Sequence, residues 1–418
     1  MQSSIKEPIN VLMVTPGFPC KKNGSQAAKF VYYEALGCSM NGAKVKVITA
    51  HYPGVPEYEK INDNLEIYRF RYFIAERFEK IIDPLMSVYD EKKIGTYLLV
   101  PFFILMYCLA ILKYARWADI IHCQWSPTVL LALPAKFLFK KKIVVTARGS
   151  DIRLLPIFIN RFIFKVVDAA VDCYGPQKWN NDNKRTFQSN YIQLPLIISE
   201  TKKYDIPLDM KDIIADRPDC FKIIYLGRFD DIKLKYSELP LLTLIEAASV
   251  LKAKNYDFKV FFIGDGEVGL KNKMNKITND LGLTSDIYFL GFKANVNEYI
   301  CHADLGIGGI ALNTVCQEFS TYYIPQVIVD NHENIETFWK DKVNALIIKP
   351  NDCKNLVETI EYCINNKTKL REIAENAYSM TRQYTNEPKE GGKKYLTAYT
   401  HLISPKSLFI VEGLEKQK

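Results

Sequence analysis

The sequence predicts an α/β protein made of two doubly wound domains, each with a Rossmann-like parallel sheet. The chain has 418 residues, and single hydrophobic cores stop growing at about 250–300 residues. Short apolar runs alternate with longer helical patterns, and runs that are apolar on both faces are typical of parallel strands covered by helices on each side. The same alternation restarts after a polar stretch near residues 200–220.

Ten apolar runs are predicted to be strands. The first domain has INVLMVT (9–15), KVKVITA (44–50), ADIIHCQ (118–124) and KIVVTA (142–147). The second has FKIIYLG (221–227), KVFFIG (259–264), IYFLG (287–291), DLGIGG (304–309), QVIVD (326–330) and ALIIKP (345–350). The predicted domains are residues 1–205 and 206–385, and helices within 386–418 are predicted to pack back on the first domain.

Ligands of such sheets bind outside the carboxyl ends of the strands. We therefore expect the functional residues to lie in loops that follow strands, at a cleft between the two domains. The formal net charge of +8 favours anionic partners such as nucleotides or phospholipid headgroups. No nucleic-acid-binding motif is present, so nucleic acid is not an expected partner.

The ten cysteines include no C-x-x-C pair and no metal-ligand spacing. This pattern is typical of free thiols in a reducing cytosol. The first residues lead directly into a strand pattern and lack the basic and apolar regions of a signal peptide. We therefore expect a cytoplasmic protein.

A long apolar stretch, IGTYLLVPFFILMYCLAILKYA (94–115), carries no charge before Lys113. A spanning helix needs about 20 apolar residues, and Pro101 interrupts this one. Three interpretations stay open: a buried helix or helix pair, a helix lying in the membrane interface, or a transmembrane span. Aromatic residues mixed with Arg and Lys in 136–143 and 153–167 suit an interfacial surface and also suit amphipathic core helices.

The spacing Gly264-x-Gly266-x-x-Gly269 resembles a dinucleotide-binding loop. That fingerprint belongs after the first strand of a domain and needs an acidic residue at the end of the next strand. Here the glycines follow the second predicted strand of their domain, and IYFLGF ends without an acid. We therefore predict a tight strand-to-helix turn that lines the ligand site, with Gly264 among the binding residues.

The loop after the first strand of the second domain carries two cations. Arg228 directly follows the strand end at Gly227, and Lys233 comes five residues later. Two cations in one such loop can converge on a diphosphate. The alternative is that they are surface cations paired with neighbouring acids.

A third segment, GGIALNTVCQEFSTYYIPQVIVD, places a short helix after a strand. Asn313 or Thr314 can cap this helix, and a helix N-terminus at a strand end is an anion site. Glu318 lies about one turn in and can accept hydrogen bonds from ribose hydroxyls. Its alternative is a solvent-facing helical glutamate.

Together these segments resemble family 4 of the retaining glycosyltransferases, which have the GT-B architecture. Gly227-Arg228-x4-Lys233 is similar to the family's G-R-x4-K loop, which holds the donor diphosphate. QEFSTYYIP, beginning just before Glu318, is similar to the second half of its E-x7-E motif. The family's contact with the nucleotide base falls near Phe292. The resemblance implies that Arg228, Lys233 and Glu318 are the catalytic residues.

The first half of the chain also resembles this family. TPGFPCKKNGSQAAKF is similar to its opening Gly-rich loop, which places Gly24 and Ser25 on the acceptor side. ADIIHCQWSPTV and VVTARGSDI are similar to its H-x-H-W and T-x-H-G-S-D segments, which add His122 and Arg148 to that side. The alternatives are a His122 bonded within the core and an Arg148 paired with Asp151. The apolar stretch resembles that of exopolysaccharide and lipopolysaccharide enzymes, which implies a membrane-facing first domain.

Four positions depart from the family pattern. Ile310 stands where the first glutamate of E-x7-E belongs, and Gln124 replaces the second histidine of H-x-H. Arg148 replaces the histidine of H-G-S-D, and Tyr323 replaces the glycine two residues before the strand proline. The departure at Ile310 keeps a non-catalytic alternative open: a nucleotide-sugar-binding or scaffold subunit of a polysaccharide assembly complex. A UDP-sugar 2-epimerase is a further alternative, although no cluster of cleft carboxylates and histidines supports it.

The resemblance implies transfer of a hexose-type sugar from a UDP- or GDP-sugar to a lipid-linked or polysaccharide acceptor, with retention. Arg228, Lys233 and the helix start near Asn313 and Thr314 would stabilise the departing diphosphate. We expect no cofactor besides the nucleotide-sugar substrate and no metal ion, because no acidic cluster suits Mg²⁺. The membrane surface is an expected partner, with the protein held at its inner face.

Overall fold

The structure of the chain is a computed structural model. It describes residues 8–20, 28–79, 81, 94–146, 155–173, 191–199, 201–229, 240–309, 313–330, 335 and 338–404. The chain divides into two compact units. Unit 1 comprises Met1–Glu200 and Tyr384–Lys418, and unit 2 comprises Thr201–Gln383. The boundaries predicted at residues 205 and 385 lie within five residues of these.

Two parallel sheets form the framework. The strands of unit 1 are β1 (Asn10–Val14), β2 (Lys44–Ala50), β3 (Tyr58–Asn62), β4 (Leu65–Phe70), β5 (Ile120–Gln124), β6 (Lys142–Thr146), β7 (Ala169–Asp172), β8 (Tyr191–Gln193) and β9 (Leu196–Ile197). Those of unit 2 are β10 (Phe221–Leu226), β11 (Phe258–Ile263), β12 (Ile287–Gly291), β13 (Leu305–Gly309), β14 (Gln326–Val329) and β15 (Leu346–Ile348). A last strand, β16 (Thr385–Asn386), returns to unit 1 and pairs with β9. All ten predicted strands are present.

The helices cover these sheets. They are α1 (Lys29–Met40), α2 (Ile94–Ala115), α3 (Pro127–Phe139), α4 (Ile157–Val166), α5 (Leu208–Ile214), α6 (Leu241–Ala253), α7 (Val268–Asp280), α8 (Asn297–Ile300), α9 (Thr314–Thr321), α10 (Cys353–Asn365), α11 (Lys367–Thr381) and α12 (Pro388–Ile403). A single-turn 3₁₀ helix, Glu76–Phe78, follows β4.

The sheet of unit 1 has the strand order β3-β4-β2-β1-β5-β6-β7-β8. Its described pairs are parallel except for the β3–β4 hairpin, which is antiparallel. Strand residues alternate between two cores. Val11 and Met13 of β1 join α1 and α12 on one face, whereas Leu12 and Val14 join α2, α3 and α4 on the other.

The C-terminal helix α12 packs tightly on α1 within unit 1. A Cβ atom added to Gly392 would lie 2.1 Å from the carbonyl carbon of Gly37, so the two backbones touch. The Asn41 side-chain amide donates to the Lys389 carbonyl oxygen across a 2.7 Å contact. Helix α12 therefore packs on the first unit.

The sheet of unit 2 has the order β12-β11-β10-β13-β14-β15, and all of its described pairs are parallel. From β10 the chain moves outward through β11 to β12, then returns to β13 on the other side of β10. The strand order therefore reverses between β10 and β13. Ligands of open α/β sheets bind outside the carboxyl ends of the strands at such a reversal.

Candidate nucleotide-sugar site

The loop after β10 presents Arg228 between two anchored residues. The Gly227 amide donates to the Ile263 carbonyl at 3.1 Å, and the Phe229 amide donates to the Asp265 carbonyl at 3.1 Å. The Phe229 ring is buried, so the backbone of this loop is fixed on both sides of Arg228. The Arg228 side chain itself is exposed at the carboxyl end of β10. Lys233, the second predicted cation, lies outside the described residues.

Glycines let the neighbouring strand ends approach β10 closely. A Cβ atom added to Gly264, after β11, would lie 1.9 Å from the Gly227 carbonyl oxygen. One added to Gly308, near the end of β13, would lie 2.2 Å from the Leu226 carbonyl oxygen. Both glycines have a positive φ, 144° and 123°, which side chains rarely tolerate. Three strand ends therefore meet backbone to backbone at the reversal point.

The G-x-G-x-x-G segment is a strand-to-helix turn, as predicted. Gly266 forms an isolated parallel β-bridge with Phe229. The Asp265 carboxylate accepts hydrogen bonds from the Gly266 amide at 2.8 Å and from Lys271 Nζ at 2.6 Å. Burial raises the pKa of Asp265, but these hydrogen bonds outweigh it and hold the pKa below its ordinary value. A Cβ atom on Gly269 would meet nothing within 4 Å. The third glycine therefore lacks the close helix–strand contact of a dinucleotide fingerprint.

The helix after β13 begins with a side-chain cap. Asn313 Oδ1 accepts from the Cys316 amide at 2.9 Å, which makes Asn313 rather than Thr314 the capping residue. The α9 helix lies close against its strand, because a Cβ atom on Gly306 would meet the Phe319 ring at 2.6 Å. The start of α9 therefore lies at the carboxyl edge of the sheet, where a helix N-terminus favours an anion. Glu318 lies in the second turn and is half-buried.

The end of β12 carries an exposed aromatic ring. Phe292 is 56% exposed and follows Gly291, whose carbonyl oxygen accepts from the Gly264 amide at 2.9 Å. The next residue is held elsewhere, because Lys293 Nζ donates to Asp209 at 2.6 Å. Burial lowers the pKa of Lys293, but that bond and Tyr299 raise it above its ordinary value overall. Phe292 is therefore the side chain at this strand end that is open to a nucleotide base.

The described part of the predicted donor site thus forms one edge. The ends of β12, β11, β10 and β13 are consecutive in the sheet, and they carry Phe292, Gly264, Gly227 with Arg228, and the start of α9. The dipole of α9 and the Arg228 guanidinium group can hold a diphosphate there. The sequence analysis did not predict that the backbone of Gly308 packs on Leu226. The two consecutive glycines at the end of β13 could have indicated such a close backbone contact.

His122 occupies the core of unit 1 instead of lining an acceptor surface. Its ring is fully buried, and its Nδ1 lies 2.6 Å from the Tyr399 hydroxyl and 2.9 Å from Glu34 Oε1. Its Nε2 lies 2.7 Å from Thr146 Oγ1. Gln124 also binds Glu34, at 2.7 Å. The structure therefore supports the core-histidine alternative: His122 joins the sheet to α1 and α12.

We expect His122→Ala to lower the free energy of unfolding by about 2–4 kcal/mol, because it leaves the buried Glu34 carboxylate short of a partner. Urea unfolding of the purified chain measures this. His401→Ala, at an exposed position near the end of α12, is the matched control and should change little. A His122 variant of unchanged stability and lost activity would contradict the core assignment.

The other acceptor-side predictions, Gly24, Ser25 and Arg148, lie outside the described residues, as does Ile310. Their roles therefore stay predictions. In the sequence, Gly24 and Ser25 follow β1, and Arg148 follows β6.

A family model matches most of unit 2. Residues 217–380 match the family model "Glycosyl transferases group 1". That range is less than half of the chain and contains every described donor-site residue. "Putative glycosyltransferase EpsD" of Bacillus subtilis is 27% identical over 158 residues, which cover 35% of this chain and 40% of that protein. "Uncharacterized glycosyltransferase MJ1059" of Methanocaldococcus jannaschii is 22% identical over 276 residues, covering 59% and 63%. The chain thus spans less than two thirds of either relative.

Solved structures share the fold over nearly the whole chain. Sucrose-phosphate synthase from Thermosynechococcus elongatus superposes with a TM-score of 0.71 at 13% identity, covering 95% of this chain and all of that one. HepE of Anabaena, solved in complex with UDP-glucose, gives a TM-score of 0.64 at 14% identity, covering 94% and 99%. The two Rossmann-like units therefore have the GT-B architecture that the sequence predicted.

Proposed function

We propose that this protein is a retaining glycosyltransferase that uses a nucleoside-diphosphate sugar as donor. The observation that carries the proposal is the edge of unit 2 where three strand ends meet without side chains between them, beside Arg228 and the capped start of α9. This edge suits a diphosphate, and the family match covers it. Uridine is the first candidate base, because HepE, which shares the fold, was solved with UDP and UDP-glucose.

The reaction follows from where negative charge develops. As the anomeric C–O bond breaks, its electron pair passes to the β-phosphate oxygen, and the sugar becomes oxocarbenium-like. The acceptor hydroxyl oxygen bonds to the anomeric carbon on the same face and gives its proton to the leaving phosphate. Arg228, Lys233 and the α9 amides stabilise the departing diphosphate. In this proposal a lipid-linked or polysaccharide hydroxyl is the acceptor, and no metal ion takes part.

A second candidate function rests on Ile310. Without the first E-x7-E glutamate, the protein would bind a nucleotide sugar and serve as a non-catalytic subunit of a polysaccharide assembly complex. Turnover separates the two functions. Binding of a donor without transfer to any acceptor in a membrane extract favours the subunit, whereas transfer that depends on the extract favours the enzyme.

The test is a thermal-shift screen of the purified full chain with UDP-, GDP- and ADP-sugars, followed by a transfer assay. A ligand at 100 times its dissociation constant adds about 2.7 kcal/mol of stability, roughly 5–10 °C for a domain of this size. We expect a shift with one nucleotide class and transfer that excess EDTA leaves unchanged. No shift with any nucleotide sugar would contradict donor binding, and loss of transfer in EDTA would contradict the metal-free mechanism.

A further inference from the structure

Helix α2 is apolar on two opposite faces, and only one of them is covered. A stripe at every fourth residue, Phe103, Tyr107, Ile111 and Ala115, is buried in the core of unit 1. A second stripe lies open: Leu98, Phe102, Leu105 and Leu109 are 70%, 54%, 56% and 49% exposed. A helix that is hydrophobic all round is normally buried. The open stripe of α2 therefore calls for a partner outside the described fold.

The neighbouring helices extend this apolar surface. The buried sides of α2, α3 and α4 belong to one core cluster, so the three helices cover the same face of the unit 1 sheet. On their outer sides, Phe137 and Leu138 of α3 are 69% and 67% exposed, and Phe158 and Phe162 of α4 are 69% and 47% exposed. We call the exposed sides of these three helices the α2–α4 face. Large exposed apolar patches on soluble proteins mark interaction sites.

Positive charge is concentrated in the same segment. Residues 94–168 contain ten Lys or Arg residues and three Asp residues, a net charge of +7. The whole chain carries +8, so the remaining residues are nearly balanced. The segment that contains α2, α3 and α4 is thus far more basic than the rest of the chain, which favours an anionic partner.

The exposed cations lie among the exposed aromatic rings. Phe158, Arg161, Phe162 and Lys165 are exposed and fall at helical spacing on one side of α4. At the end of α2, the guanidinium of Arg116 lies 5.7 Å from the centroid of the Phe139 ring. Rings that enter the acyl boundary beside cations that reach headgroups are the composition of an interfacial helix.

The α2 helix does not need to cross the membrane for this. Among the described residues, one helix segment, Leu98–Ala115, is long and apolar enough to span by length and composition, and 17% of it is buried. Its buried stripe packs on the sheet of unit 1: the rings of Tyr107 and Phe103 lie against Phe70 of β4, at centroid distances of 4.5 and 5.6 Å. A spanning helix would have to leave this core.

We propose that the α2–α4 face is a monotopic docking surface for a bilayer rich in anionic lipids. The apolar stripe enters the interface, and the cations bind phosphate headgroups. A second copy of the chain is the less suitable occupant, because the cores of protein–protein interfaces are depleted of lysine. The surface rests on contacts within unit 1 alone. It therefore stands or falls independently of the proposed sugar transfer.

Vesicle co-sedimentation of the full chain tests the proposal. The probes are phosphatidylcholine vesicles and phosphatidylcholine vesicles containing phosphatidylglycerol. We expect tighter partition on the anionic vesicles, weakened by added salt and released by alkaline carbonate. Equal partition on both vesicle types, or no partition at all, would overturn the anionic-lipid assignment. Resistance to carbonate would overturn the monotopic one in favour of a span.

Two double variants separate the charged and apolar contributions. Arg161→Gln with Lys165→Gln should weaken partition on anionic vesicles by about 25-fold, roughly fivefold for each cation, and leave phosphatidylcholine binding unchanged. Phe102→Ser with Leu105→Ser should weaken partition on both vesicle types by about tenfold or more.

Matched changes in unit 2 are the controls. Leu208→Ser, at a 77% exposed leucine of α5, and Lys273→Gln with Lys276→Gln, at exposed lysines of α7, should leave partition unchanged. Light scattering identifies the competing occupant: a dimer that Phe102→Ser with Leu105→Ser dissociates, without a change in vesicle binding, would assign the face to a second copy. Circular dichroism before each assay verifies that the variants are folded.

Discussion

Arg228→Ala is expected to lower the rate of sugar transfer by about 10²–10³-fold. The Arg228 side chain follows the carboxyl end of β10 and is exposed, beside the strand ends where we propose that the diphosphate binds. Two unit charges about 4 Å apart interact by about 4 kcal/mol at an effective dielectric constant of about 20. Since each 1.4 kcal/mol changes the rate about tenfold, losing most of that interaction in the transition state gives the stated range.

Steady-state kinetics with a saturating acceptor measures the effect. A larger fall in kcat than rise in KM would place the interaction in the transition state, where the leaving diphosphate gains charge. Lys233→Ala should act similarly, although its position rests on the sequence alone. Lys354→Ala is the matched control, because that side chain is 87% exposed on α10. An Arg228→Ala variant with wild-type transfer would remove the basis of the proposed mechanism.

Long apolar strands were predictable, whereas the polar edge strands β3 and β4 and the short strands β7, β8 and β9 were not. Runs such as KVFFIG reveal themselves because every residue after Lys259 is apolar, as is typical of a parallel strand buried on both faces. The β3–β4 hairpin lies at the sheet edge, and two of the five residues of β3 are exposed while the other three are half-buried. Its sequence, YEKINDNLEIYRF, is accordingly rich in charged and polar residues, and its strands escaped a search for apolar runs.

The roles of single side chains were harder to predict, because the sequence does not reveal which distant residues a side chain will contact. His122 follows a strand pattern that suits either a core or a site. The choice was made by Glu34 and Tyr399, which lie 88 and 277 residues away along the chain. At Tyr323 the sequence did indicate the local backbone. The resemblance marks this position as one for glycine, and the structure gives Tyr323 a φ of 56°, in the left-handed region that glycine favours. The ring stacks on Tyr378 at 4.3 Å.

The second large effect is expected at a glycine. Gly264→Ala should lower the free energy of unfolding by about 2–6 kcal/mol. Backbone strain at a φ of 144° contributes about 1–3 kcal/mol. The clash with the Gly227 carbonyl oxygen, 1.9 Å from the new Cβ atom, contributes a further 1–3 kcal/mol or so as overpacking. The clash would displace Gly227 and therefore Arg228, which follows it. The folded variant should then show no thermal shift on addition of the nucleotide sugar.

Gly269→Ala is a control within the same motif. It lies in the first turn of α7 with open space around its Cα atom, so alanine should be neutral or stabilise by up to about 1 kcal/mol. Thermal unfolding with and without the nucleotide sugar measures both variants. A dinucleotide-type loop would give a different pair of results, because its third glycine packs helix against strand. If Gly269→Ala lost donor binding and Gly264→Ala kept it, the loop would contact its ligand as a dinucleotide fingerprint does. The packing of Gly264 on Gly227 would then not determine the shape of the site.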